Sequence, residues 1–368
     1  MLPFLGELFG NPSSIHAAGR RARAFLDEAR ERLARVWACR PGEVIFTSGG
    51  TEANNLAIIG GALAREGRGR HLVATGIEHS AVLAPMGWLC RHAGYSMTLV
   101  PADRFGQVRP EEVQAALRPD TVLVSVMAAN NEVGTLQPLG QIGAICRDRG
   151  VLFHSDAVQW FGKEPVPDIA SLGADLVAGC AHKLYGPKGA GVLYVRSPLQ
   201  LVALISGGSQ EHEHRAGTEN VAGIAGLVAA FERFAASPVM SRERLAPLCA
   251  RLEECCLAAP ECRRWGPDVS QRLANTLAVT VSGCDSLSLL AGLDLAGVCA
   301  SSGSACASGA LKPSHVLSAL GASDDEARGL VRFSLGRDTT LGDVEAAGAA
   351  FLEVAERVSN RREAGSPV

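Results

Sequence analysis

Residues 174–195 read ADLVAGCAHKLYGPKGAGVLYV. Two apolar runs, Leu176 to Gly179 and Gly191 to Val195, have the length and composition of buried strands, and the turn between them holds Cys180, Ala181, His182, Lys183 and Gly186-Pro187. Lys183 therefore falls at a strand end. Small residues around it would strip hydration from the amine and leave it available as a nucleophile toward carbonyls, the chemistry of an imine. The plainer alternative is a surface-loop lysine, so the flanking stretches must decide.

Upstream, strand-like Glu43 to Thr47, His71 to Thr75, Ser96 to Val100, Thr121 to Met127 and Val151 to Ser155 alternate with helical stretches, the first of them the amphipathic Ala22 to Trp37. Near-continuous apolar strands alternating with helices predict a mostly parallel sheet covered by helices on both faces, with sites outside the carboxyl ends of the strands. Three strand ends carry polar residues that a bare core would exclude: Asn130-Asn131-Glu132, His154-Ser155-Asp156 and the Lys183 turn. Asp156 is the most telling, because a carboxylate at the end of a buried strand is costly unless a cation pairs with it; a helix cap is its alternative. Strand Glu43 to Thr47 runs into Ser48-Gly49-Gly50-Thr51 and a helix expected over Leu56 to Arg65, and such a start offers free N–H groups to an anion such as phosphate. The pattern is neither Gly-x-Gly-x-x-Gly nor a Walker sequence. His79, at another strand-to-helix junction, is a cap or a site residue.

From Ser237 to Arg242 the composition shifts, and a smaller α/β domain is expected over 241–368, after a large domain over 1–240 whose opening residues, to about Ile15, could pack on the smaller one. Its strands are read at Thr276 to Val281, Gly297 to Ala300 and Leu330 to Leu335. Between the last two lies SSGSACASGA, residues 301–310, a run of small residues expected to form a movable loop with Cys306 in its middle, either a nucleophile or a passive small residue.

The 368 residues are 47% hydrophobic and 20% charged, with 35 basic and 38 acidic side chains, so neither nucleic acid nor a membrane surface is indicated as a partner. No long apolar span and no leader is read, and the eleven cysteines are scattered, which suggests thiols in the cytoplasm rather than a disulfide framework. His212 and His214 lack a third nearby ligand, and no metal is expected.

Pyridoxal phosphate requires a lysine for its aldehyde, an acid for its ring nitrogen, a cradle for its phosphate and a flat group over its ring. Lys183, Asp156, Gly50-Thr51 and His79 supply all four from strand ends. The chain resembles the cysteine desulfurases, fold type I pyridoxal-phosphate enzymes of the class V aminotransferase group. The resemblance is carried by NPSSIHAAGR at Asn11, FTSGGTEANN at Phe46, EHSAV at Glu78, NNEVGTLQP at Asn130, HSDAVQ at His154, AHKLYGPKGAGVLYV at Ala181, RAGTEN at Arg215, SSGSACAS at Ser301 and VRFSLGRDTT at Val331.

It implies conversion of L-cysteine to L-alanine with sulfur passed to Cys306 as a persulfide, for iron-sulfur cluster assembly or tRNA thiolation. Lys183 would hold the cofactor and move the substrate's α-proton, Asp156 would keep the ring nitrogen protonated and Gln159 would bond the ring hydroxyl. His79 would stack on the ring and Asn131 lie beside it; Gly50, Thr51 and His182 would hold the phosphate, with Thr218 reaching across a homodimer; Arg332 would take the substrate carboxylate.

The sequence departs from the family at Cys180, where serine is usual, and a thiol is the poorer phosphate donor. The family's Ala-Ala-Thr-Thr-Pro segment would precede Met1, and some relatives dock a sulfur acceptor on a longer C-terminal tail. Selenocysteine lyase and an idle sulfur-relay paralogue are the alternatives.

Overall fold

The computed structural model describes residues 1–166, 168–303 and 313–363. Ten strands are described: β1 (Val44–Thr47), β2 (His71–Thr75), β3 (Ser96–Val100), β4 (Thr121–Ser125), β5 (Leu152–Asp156), β6 (Leu176–Cys180), β7 (Gly191–Val195), β8 (Cys262–Trp265), β9 (Thr276–Val281) and β10 (Leu330–Ser334). Two compact units emerge: residues 1–100, 109–128 and 137–239 form one, and residues 101–108, 129–136 and 240–368 the other.

The first unit holds a seven-stranded sheet in the order β1-β7-β6-β5-β4-β2-β3. Pairings from β6 through β5, β4 and β2 to β3 are parallel, while β7 runs antiparallel to both neighbours, β6 and β1. Six strands therefore point the same way, and their carboxyl ends share one edge. Helical backbone runs from Gly50 to Leu63, with a π-turn over Leu56–Gly60, where the sequence predicts one regular helix from Leu56. Ala53, Leu56 and Ala57 pack on Ile45, Ala178 and Leu193; Ile58 and Ala62 join Val82 and Met86 over Leu72, Leu123 and Leu152. Elsewhere in this unit Trp37, Phe161 and Phe231 meet ring to ring at 5.0–5.5 Å, a favourable spacing for aromatic pairs. The opening residues belong to this unit and not to the smaller one: Phe4 lies 4.0 Å, ring to ring, from Phe25.

The second unit is built on an antiparallel sheet, β10-β9-β8. The strand expected at Gly297 to Ala300 does not form, because those residues close the preceding helix, Ser286–Leu295. Val298 N–H reaches back to Leu293 O at 2.8 Å and Gly297 takes φ +80°, the backbone a helix end of this kind needs. Ser301 then bridges to Arg332 of β10.

Candidate active site

At the carboxyl edge of the first sheet, Gly191 of β7 faces both Thr47, the last residue of β1, and Cys180, the last of β6. A Cβ on Gly191 would stand 2.5 Å from the carbonyl carbon of Gly49, so only glycine lets the turn after β1 lie against this strand. A Cβ on Gly50 would meet Val158 Cγ2 at 2.6 Å. The glycine turn, the first helical residues and the segment just past Asp156 are thus in van der Waals contact. The first-turn N–H groups of a helix have no intrahelical acceptor. Ser48 N–H is already taken by Glu52 Oε2 at 2.9 Å, and Glu52 Oε1 accepts from Arg215 Nε at 2.9 Å.

Alternation along β5 puts Leu152, His154 and Asp156 on the face covered by the helix that begins at Gly50. Asp156 is 6% exposed. Oδ2 accepts from Asn54 Nδ2 at 2.7 Å and Oδ1 from Val158 N–H at 3.0 Å. Burial pushes its carboxyl above the usual range, opposed by these two hydrogen bonds and by the nearby His79. Among the described residues no cation forms an ion pair with Asp156. A buried carboxylate so arranged suits a cationic ring nitrogen, and the polar turn at Gly50 suits a phosphate.

His79 caps the helix Ser80–His92 and accepts Ala81 N–H on Nδ1 at 3.0 Å, so the cap reading is realised; the half-buried ring remains near Asp156. Gln159 is engaged by Lys163, whose Nζ donates to Oε1 at 2.8 Å and to the Gln159 carbonyl at 3.0 Å. Burial pushes the Cys180 thiol up to about 11, against the Lys183 N–H and the Lys183 and Lys163 charges, so it stays protonated at neutral pH. His182 is pulled below its ordinary value by desolvation and by Lys183, Lys188 and Lys163. Lys183 sits in a single 3-10 turn and is exposed; the loss of hydration expected from its small neighbours is not found, because the turn carries its side chain outward. Thr51 and Thr218 are exposed as well. Among the described residues no group of three metal-ligating side chains occurs, and His212 is exposed while His214 is buried.

Asn131 and Arg332 belong to the second unit, where Arg332 Nη1 donates to the Asn131 carbonyl at 2.8 Å. Burial pulls the Arg332 guanidinium below its ordinary value, opposed by Glu132, and its Nε has no partner among the described residues. Glu132 also accepts from Ser314 and lies against Gly303. Cys306 lies outside the described residues.

Three buried groups escaped sequence reasoning. Glu78 is completely buried, with Oε1 accepting from Thr75 Oγ1 at 2.7 Å and Met127 N–H at 2.8 Å, and desolvation pushes it up to about 8. Asn54 and His154 both stand inside quoted motifs. For His154 the period of two that links it to Asp156 was the available signal.

A family model described as aminotransferase class-V matches residues 1–347. The chain belongs to that family. It is 43% identical to the cysteine desulfurase IscS of Dictyoglomus turgidum, over 100% of this chain and 92% of the relative. Among solved structures, a NifS-like protein superposes with a TM-score of 0.88 at 34% identity, covering 97% of this chain and 94% of the other. SspA in complex with cysteine gives 0.79 at 34% identity, covering 92% and 94%. Members of this family depend on pyridoxal phosphate. These likenesses place the chain within the cysteine desulfurase group of class V proteins.

Proposed function

We propose that this chain is a pyridoxal-phosphate-dependent cysteine desulfurase that turns L-cysteine into L-alanine and passes the sulfur to Cys306 as a persulfide. The observation that carries the reading is the buried Asp156 carboxylate, held by Asn54 and Val158 with no ion-paired cation among the described residues, beside the glycine turn at Gly50. Full-length identity to cysteine desulfurases supplies the substrate. A solved relative, SspA, forms a complex with cysteine, which agrees with it, and neither selenocysteine lyase nor an idle relay is favoured.

When bound, the cofactor supplies an electron sink that acidifies the carbon beside the substrate amine and loosens the neighbouring C–S bond. Lys183 would hold the cofactor through its amine and would move the substrate's α-proton. Asp156 would keep the ring nitrogen protonated, Gln159 would bond the ring hydroxyl, His79 would stack on the ring and Asn131 would lie beside it. Gly50, Thr51, His182 and the Cys180 thiol would hold the phosphate, and Thr218, exposed in the single chain, would serve the other copy of a homodimer. Arg332 would take the substrate carboxylate, for which its Nε, without a partner among the described residues, is a ready donor. Cys306, as a thiolate, attacks the substrate sulfur; the C–S bond breaks, its electron pair stays with the departing carbon, and a proton completes alanine.

In this reading residues 1–240, apart from the stretches 101–108 and 129–136 that group with the second unit, are the cofactor domain, and 241–368 belong to the smaller domain bearing Cys306. The persulfide goes to an iron-sulfur scaffold or a tRNA-thiolating enzyme in the cytoplasm. Among the described residues no helix is long and apolar enough to cross a membrane. The test is reconstitution with pyridoxal phosphate, borohydride reduction and peptide mapping, followed by alanine measurement with cysteine. Cofactor on Lys183 and alanine formed are expected. Cofactor on another lysine, or no alanine, would reject the assignment.

A further inference from the structure

A buried hydrogen-bonded series extends three residues beyond Asp156. Asn54 is 1% exposed, and His154 and Ser125 are completely buried. Ser125 of β4 is paired in register with His154 of β5, and its Oγ lies 2.8 Å from His154 Nδ1. His154 Nε2 lies 3.1 Å from Asn54 Oδ1, and Asn54 Nδ2 lies 2.7 Å from Asp156 Oδ2. We propose that Asn54 and His154 are positioning residues that hold Asp156 as a carboxylate toward the cofactor's ring nitrogen, through the series Ser125, His154, Asn54, Asp156. The proposal rests on the reading that Asp156 meets that nitrogen.

The polarity of the series follows from the chemistry of its members. A carboxylate can only accept, so the Asn54 amide must turn its NH2 toward Asp156 and its carbonyl toward His154. That carbonyl can only accept, so His154 must carry its proton on Nε2, and Nδ1 then accepts from the Ser125 hydroxyl. Burial pushes His154 down to about 3, so the ring is neutral and one tautomer suffices. If Asp156 took a proton and presented it to Asn54, the amide would have to flip and His154 would have to move its proton to Nδ1. Each member thus favours the ionised carboxylate, and the burial of all of them keeps water from substituting for a lost partner. The Val158 N–H on Oδ1 completes the support and leaves the carboxylate's remaining lone pairs for the ligand. The other titratable groups near the series are His79, which opposes the rise of Asp156, and Glu78 and Cys180, both of which the Asp156 charge helps to raise.

The direct test is the ring-nitrogen 15N shift of holoenzyme loaded with 15N-labelled pyridoxal phosphate, followed against pH. A hydrogen bond to a charged group is strong enough that losing it should lower the ring nitrogen's proton affinity by about tenfold. Asn54→Ala should show this shift, His154→Leu a smaller one in the same direction, and the double variant no more than Asn54→Ala alone, because His154 acts through Asn54. His154→Gln, which retains an N–H donor, should return toward the parent. Should His154→Leu fail to fold by near-ultraviolet circular dichroism, Ser125→Ala tests the same series, with a small shift expected in the same direction.

Folded Asn54→Ala or His154→Leu protein with the parent's titration, or a double variant in which the two shifts simply add, would overturn the proposal. An Asp156→Asn variant with an unchanged ring-nitrogen shift would instead remove the underlying reading of Asp156.

Discussion

Gly191→Ala is the sharpest perturbation of the edge on which the site is built. The new Cβ would lie 2.5 Å from both the carbonyl carbon and the Cα of Gly49, and 2.7 Å from its nitrogen. All three are backbone atoms, so no side-chain rotation relieves the clash; either β7 or the turn after β1 must move. Gly191 pairs with Thr47 and with Cys180 at once, so movement of either element displaces the start of the Gly50 helix from its place on Val158. Overpacking of this kind costs about 1–3 kcal/mol.

Urea unfolding of the apoprotein should therefore show a lower midpoint at an unchanged m-value, and titration with pyridoxal phosphate should show a weakened Kd. Gly140→Ala, at a helical position where a Cβ meets nothing within 4 Å, serves as the control and should be neutral or slightly stabilising. A Gly191→Ala protein with the parent's midpoint and the parent's Kd would refute the close-approach argument.

Lys183→Ala should bind the cofactor without a covalent link; recovery of reduced cofactor on Lys188 would contradict the assignment. Cys180→Ser should bind the cofactor several-fold more tightly, about 1 kcal/mol for one hydroxyl donor, checked by retention during dialysis. For Glu78, whose folded value is raised to about 8 from an ordinary 4.5, the native state binds more protons than the unfolded one between those values, so this group makes stability fall as pH rises through that window. Glu78→Gln should remove that downward slope in unfolding free energy, and an unchanged slope would show that Glu78 is ionised in the folded protein.

Strands β1 to β6 and the polar residues at their ends were legible because buried parallel strands are short apolar runs and polar residues stand out after them. The reversed direction of β7 was not, since an apolar run carries no sign of its orientation. Strand β8 escaped because it is a charged edge strand in which Arg263 lies 4.4 Å from the Trp265 ring, a composition that protects an edge and resembles a loop. Gly297 to Ala300 misled in the opposite sense, its small apolar residues serving a helix end.

At the site, Asp156 announced itself by type and position, and His79 was correctly weighed as a cap. The exposure of Lys183 was not readable, because composition around a turn does not say which way its side chain leaves. Asn54 is distant in sequence from Asp156, and Glu78 from Met127, and only the packed sheet brings them together.

The central claim is sulfur transfer to Cys306. Holoenzyme mixed with one equivalent of L-cysteine, quenched with an alkylating agent and mapped by mass spectrometry tests it most directly. One added sulfur on the peptide containing Cys306, matched by an equal amount of alanine and absent in Cys306→Ser, is the result the account predicts; alanine formed at the parent rate by Cys306→Ser would contradict it.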